Sequence, residues 1–130
     1  VSWVELAVVL VVSHLAGDFL LQTDWQARYK YGGLGPDPVR RRALRNHMLT
    51  YMLAFLPALA WVASELGFGA AIGLAVLVGV PHWIQDDGRL LDAYMAVVKR
   101  VPNQSPGLRI AVDQSFHLVA LFLAALIVAG

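Results

Sequence analysis

The sequence contains no cysteine, which excludes a disulfide scaffold and a Cys-based zinc finger. Only 15% of its 130 residues are charged, and a formal net charge of +1 promises no strong electrostatic partner. Its 11 glycines and 6 prolines follow no triplet repeat, so the chain is not collagen-like. Few charges beside 58% hydrophobic residues also exclude intrinsic disorder. Soluble domains carry about 25% charged and about 45–50% apolar residues, so this composition points elsewhere. The length admits a single domain, 1–130.

Four stretches are almost free of charge: residues 3–22, 48–64, 69–85 and 110–129. A helix crossing about 30 Å of hydrocarbon needs roughly 17–25 apolar residues, and all four qualify, the middle two barely. Helices of a soluble bundle show a polar face, whereas these stretches are apolar all round. The expectation is an all-α integral membrane protein, an antiparallel bundle of four transmembrane helices. All 10 basic residues fall in the loops 23–47 and 86–109. The N-terminus, the turn at 65–68 and the C-terminus carry none. The positive-inside rule then puts both long loops in the cytoplasm and both termini outside. Span one lacks the basic flank and cleavage site of a signal peptide.

Trp25, Tyr29 and Tyr31 suit a membrane interface, and the Gly/Pro-rich stretch 32–38 breaks the chain after them. Asp37-Pro38 and Ser105-Pro106 read as N-cap and first-turn pairs, so helices two and four start before their spans. Leu91, Tyr94, Met95 and Val98 recur at helical spacing among charges, which predicts a short cytoplasmic helix on the membrane surface. The basic run at 40–45 abuts a span, so it reads as a topology and anionic-lipid signal rather than a nucleic-acid site. The triplet Asn103-Gln104-Ser105 matches a glycosylation site but falls in a cytoplasmic loop, where it carries no meaning.

Ionisable groups inside spans are costly and are functional candidates. Each of His14/Asp18, His82/Asp86 and Asp113/His117 is spaced i,i+4, which puts both side chains on one helix face. In spans one and three the His comes first; in span four the Asp does. That reversal is what an antiparallel helix needs to keep like residues at like depth, in layers about 6 Å apart. His47, at the entry to span two, joins the same level. The set His14, Asp18, His47, His82, Asp86, Asp113 and His117 therefore meets near the cytoplasmic face. Imidazole with carboxylate suits Zn, Mn or Fe. The set can serve one ion with supporting carboxylates, or two ions sharing a bridging Asp, as in dimetal helix bundles. Gln22, Gln114 and Tyr51 are expected to support the ligands or touch a substrate. Asp87 points about 100° from Asp86 and faces water or pairs with Arg89. Glu5 and Glu65 are read as solvated. A metal-free polar lock between helices and a proton or ion path are the alternatives.

The run from His14 through Gln22 (H-x3-D-F-x2-Q), with Thr23-Asp24-Trp25 and Lys30, resembles the opening signature of a bacterial membrane family, domain of unknown function 3307. His47, His82 with Asp86, and Asp113-Gln114-Ser115-Phe116-His117 fit its later motifs, although Pro81 and Asp87 alter the third. The resemblance covers the whole chain and implies the bacterial cytoplasmic (inner) membrane. A looser likeness to membrane-bound metal-dependent hydrolases implies hydrolysis of a lipid or phosphorylated small substrate. Asp18, Asp86 and Asp113 are then the candidate catalytic groups. The other reading is a non-catalytic module that binds or senses metal, or holds its helices together. No nucleic-acid partner is expected, and the oligomeric state is open.

Overall fold

Two sequence devices set the helix starts. Ser2 and Glu5 cap each other's backbone, and Thr23 and Gln26 repeat the arrangement one segment later. The computed structural model describes residues 1–100 and 105–130, so Asn103 and Gln104 of the glycosylation triplet lie outside the described residues. Helix α1 covers Trp3–Leu15 and continues into a wide π turn, Ala16–Leu20. Next come α2 (Asp24–Tyr29), α3 (Pro38–Leu66), α4 (Phe68–Asp86), α5 (Arg89–Tyr94) with a second π turn (Met95–Lys99), and α6 (Pro106–Ala129). Asp37 caps α3 by accepting from Val39 and Arg40 N–H, and Ser105 caps α6, as their sequences predict. The described residues form no strand.

Four helices are long and apolar enough to cross a membrane: Trp3–Leu20, Pro38–Leu66, Phe68–Asp86 and Pro106–Ala129. They close a ring in which α1 packs on α3, α3 on α4, α4 on α6 and α6 back on α1. Each turns one seam inward at steps of three or four residues. The seams run Leu6, Leu10, His14 on α1; His47, Tyr51, Phe55, Ala58, Val62 on α3; Ala71, Leu74, Val78, His82, Asp86 on α4; and His117, Leu121, Ala124 on α6. One end of the bundle is thus an apolar core and the other, away from both termini, is polar. The outward faces are apolar too, with Val8, Val12, Leu53, Ile72, Val119 and Ile127 all exposed. Such a surface is stable against lipid rather than water.

The π turn inserts Asp18 into the seam, since Leu21 N–H reaches back to the Ala16 carbonyl at 2.9 Å. Gly17 permits it. A Cβ there would sit 2.6 Å from Cδ2 and 3.3 Å from Cα of Tyr51, so α1 and α3 touch only because that side chain is missing. Gly17→Ala is expected to destabilise the bundle by about 1–3 kcal/mol, the usual range for overpacking. A thermal melt in detergent reads this; an unchanged midpoint contradicts the packing.

The surface helix expected in the second loop is α5. Leu91 and Met95 turn inward, while the π turn leaves Val97 and Val98 outward. Tyr94 meets Phe116 of α6 edge-on. The segment Asp24–Tyr29, expected only to carry interfacial aromatics, is a helix packed on α3.

Candidate metal centre

The seams converge on four donor atoms. His47 Nε2 lies 2.7 Å from Asp86 Oδ2, 3.2 Å from Asp18 Oδ1 and 3.1 Å from His82 Nε2. His82 Nε2 lies 3.1 Å from Asp86 Oδ2 and 3.5 Å from Asp18 Oδ1. All four residues are buried. All four donor atoms lie within 4.8 Å of one another, and tetrahedral bonds of about 2.0–2.1 Å would hold donors about 3.3–3.4 Å apart. Asp18 Oδ1 is buried with no hydrogen-bond partner, an acceptor facing the middle of the group. Residues from α1's π turn, α3 and α4 thus bring four donor atoms to one buried point, a group that could hold a cation.

The other three predicted ligands stand differently. His14 Nε2 is 3.7 Å from Asp18 Oδ2, and its ring is held by Tyr51 Oη at Nδ1 (3.0 Å) and by Gln114 Oε1 at Nε2 (2.9 Å). Tyr51 also stacks on His82, with ring centroids 3.4 Å apart. His117 donates Nδ1–H to the Asp113 carbonyl at 2.8 Å, and its Nε2 faces Asp86 Oδ1 at 3.3 Å. The Asp113 carboxylate is 3.9 Å from His117 Nδ1 and partly exposed, outside the four-donor group. Of the supporting residues, Tyr51 touches the cluster directly at His82 and both Tyr51 and Gln114 reach it through His14. Gln22 instead lines a cavity of about 360 Å³ with Asp18, Lys30 and Asp113.

Lys30 was not expected in the site. From the end of α2 its Nζ reaches Asp86 Oδ2 at 2.7 Å, with its side chain 17% exposed. It also lines a second cavity, of about 180 Å³, with Asp86, Arg109 and Asp113. Both cavities border carboxylates of the site, one beside Asp18 and the other beside Asp86. Two sequence signals pointed to it: its place at the end of the family-like signature that opens at His14, and its place after the Thr23–Gln26 capping box, where a six-residue helix returns the chain to the bundle end.

Asp87, as anticipated, turns away from Asp86 and pairs with Arg89 at 2.5 Å. It is nonetheless buried, and accepts Leu34 N–H at 2.8 Å while its carbonyl accepts Gly32 N–H at 2.8 Å. Gly88 completes this clamp. Its φ of +80° and a virtual Cβ 2.4 Å from Tyr31 admit no side chain. Asp92 accepts from Tyr31 Oη and Arg109 beside it. Burial pushes the Asp87 pKa up, but the Arg89 and Leu34 hydrogen bonds outweigh it and the carboxyl ends below its usual value. A depressed carboxylate stabilises the fold above its unfolded pKa and loses that contribution as pH falls through the folded value. Protection of the Leu34 amide from hydrogen exchange is therefore expected to drop below about pH 4. Leu34 protection that is the same in Asp87→Ala as in the unsubstituted protein contradicts the clamp.

No curated protein and no solved structure matches the chain. A family model does match, over residues 6–130, which takes in every donor of the cluster and the loops that carry Lys30 and Asp87. The chain belongs to the family described as protein of unknown function DUF3307.

Proposed function

We propose that the chain is a metal-dependent hydrolase acting on a lipid or phosphoester substrate at the cytoplasmic leaflet of a bacterial inner membrane. The observation that carries this is the convergence of Asp18, His47, His82 and Asp86, whose donor atoms all lie within 4.8 Å of one another on a buried seam. The donor set suits Zn, Mn or Fe. When bound, such an ion polarises a substrate oxygen and lowers the pKa of a coordinated water toward about 7. Asp113 lies outside the four-donor group and borders both cavities, which suits it to accept a proton. Lys30, which lines both, supplies a positive charge for a phosphate. The confinement of all 10 basic residues to the two long loops supports a cytoplasmic position for this end.

A non-catalytic role as a metal-binding or structural module is favoured by two contacts. Lys30 neutralises Asp86 at 2.7 Å, and Tyr51–His14–Gln114 ties α3, α1 and α6 by hydrogen bonds. Metal-reconstituted protein assayed against a panel of phospholipids and phosphoesters separates the two. Turnover that falls at least about 100-fold in Asp113→Asn, with metal content unchanged, supports the hydrolase. Fully loaded protein without turnover supports the binding module.

A further inference from the structure

Of the four arginines in the run at 40–45, two have partners within the fold and two do not. Arg40 donates to the Tyr31 carbonyl at 3.1 Å and lies over the Tyr31 ring, and Arg42 lies over the ring of Trp25. Arg41 and Arg45 are exposed and have no ion pair, hydrogen bond or ring contact among the described residues. Asp37, one turn before Arg41, turns Oδ1 to the Val39 and Arg40 amides instead. Spaced i,i+4, the two arginines share one face of α3.

That face borders a cavity of about 440 Å³, lined by Gly33, Leu34, Arg41, Arg45 and Trp83. Both cavities at the metal centre are lined in part by Asp, whereas this lining holds no carboxylate. Its wall is fixed. A Cβ on Gly33 would sit 2.5 Å from Leu44 Cβ, and Leu34 N–H is held by Asp87 at 2.8 Å. Trp83 is 46% exposed and lies in the last turn of α4, the level at which indole rings sit in a bilayer. It follows His82, so it points about 100° around the helix from the metal centre. One turn toward the middle of the bundle, Leu49 lies below Arg45 on α3 and Val80 below Trp83 on α4, both exposed. Positive charge above exposed apolar side chains matches the profile of a phospholipid. Two unpaired guanidinium groups with no carboxylate beside them favour a headgroup whose phosphate charge is not already neutralised.

We infer that Arg41, Arg45 and Trp83 form a binding site for one anionic phospholipid, its phosphate held by the two guanidinium groups and its chains lying along α3 and α4. The site shares no residue with the metal centre, and its test depends neither on metal nor on turnover. Full-length protein in detergent is titrated with phosphatidylglycerol and with phosphatidylcholine, and bound lipid is counted by native mass spectrometry. One phosphatidylglycerol per chain is expected, held at least about tenfold more tightly than phosphatidylcholine. Each basic residue beside an anionic lipid contributes about fivefold, so Arg41→Gln with Arg45→Gln is expected to lose at least about tenfold in affinity. Arg28→Gln with Lys99→Gln removes as much charge from outside the cavity, and is expected to bind as the unsubstituted chain does. Equal affinity for the two lipids overturns the proposal, and that comparison needs no variant. A loss in the Arg28/Lys99 pair as large as in the Arg41/Arg45 pair also overturns it, since it marks general charge attraction. Inorganic phosphate that displaces phosphatidylglycerol at equal concentration assigns the cavity to a soluble anion and overturns the lipid.

Discussion

Asp86→Asn is expected to lower affinity for divalent metal by more than about 100-fold, beyond the 10–100-fold that loss of a supporting partner costs. Asp86 Oδ2 lies at 2.7 Å from His47 Nε2, 3.1 Å from His82 Nε2 and 2.7 Å from Lys30 Nζ, and Oδ1 faces His117. An amide keeps the shape but removes the charge that an ion and Lys30 both answer. The metal-free protein suffers as well. Removing one partner of a buried pair costs about 3–5 kcal/mol, and the 17% exposure of the Lys30 side chain places this case at the low end. Competition against a chelator reads the first effect and a thermal melt of the stripped protein reads the second. Metal affinity within threefold of the unsubstituted chain contradicts the assignment of Asp86.

Lys30→Gln is expected to act in opposite directions on binding and on turnover. The ammonium shares Asp86 Oδ2 with any ion bound there. With an O–metal bond of about 2 Å, the two cations stand no more than about 4.7 Å apart. At that distance a divalent ion and an ammonium repel by about 1.8 kcal/mol even at the dielectric of water. Loss of the lysine charge therefore tightens metal binding at least about tenfold. It also removes the cation that receives an anionic substrate, so KM for a phosphoester rises. The same substitution destabilises metal-free protein, because Asp86 loses its neutralising partner. Weaker metal binding in Lys30→Gln would place the lysine among the supports of the site rather than in competition with its ion.

The cluster was legible because helical periodicity is arithmetic. The i,i+4 pairs, and their reversed order in α6, fix which residues share a face and a depth, and His14, Asp18, His47, His82, Asp86 and His117 do gather there. The starts of α3 and α6 were legible for the same local reason, a capping side chain followed by proline. The division within the cluster was not. Whether Asp113 joins it depends on a rotation at the rim of the bundle, where its carboxylate turns to the cavities and only its carbonyl serves His117. The π turn at Asp18 sits where Gly17 lets Tyr51 approach closely, a contact between helices that no window of sequence contains. In the sequence Lys30 is one of ten loop charges and the last residue of the family-like opening signature, and neither places it against Asp86. Its reach to Asp86 follows from the fold of the short helix before it. The Thr23–Gln26 capping box was in plain view and would have located that helix.

The central claim is that Asp18, His47, His82 and Asp86 form a metal centre, and elemental analysis tests it most directly. The full-length protein is purified in detergent without chelator, and its Zn, Mn and Fe are counted against protein concentration. The account predicts at least one divalent ion per chain, lost in His47→Ala and retained in Glu65→Gln. Protein that carries no stoichiometric metal, and takes up none when dialysed against each ion, would contradict it.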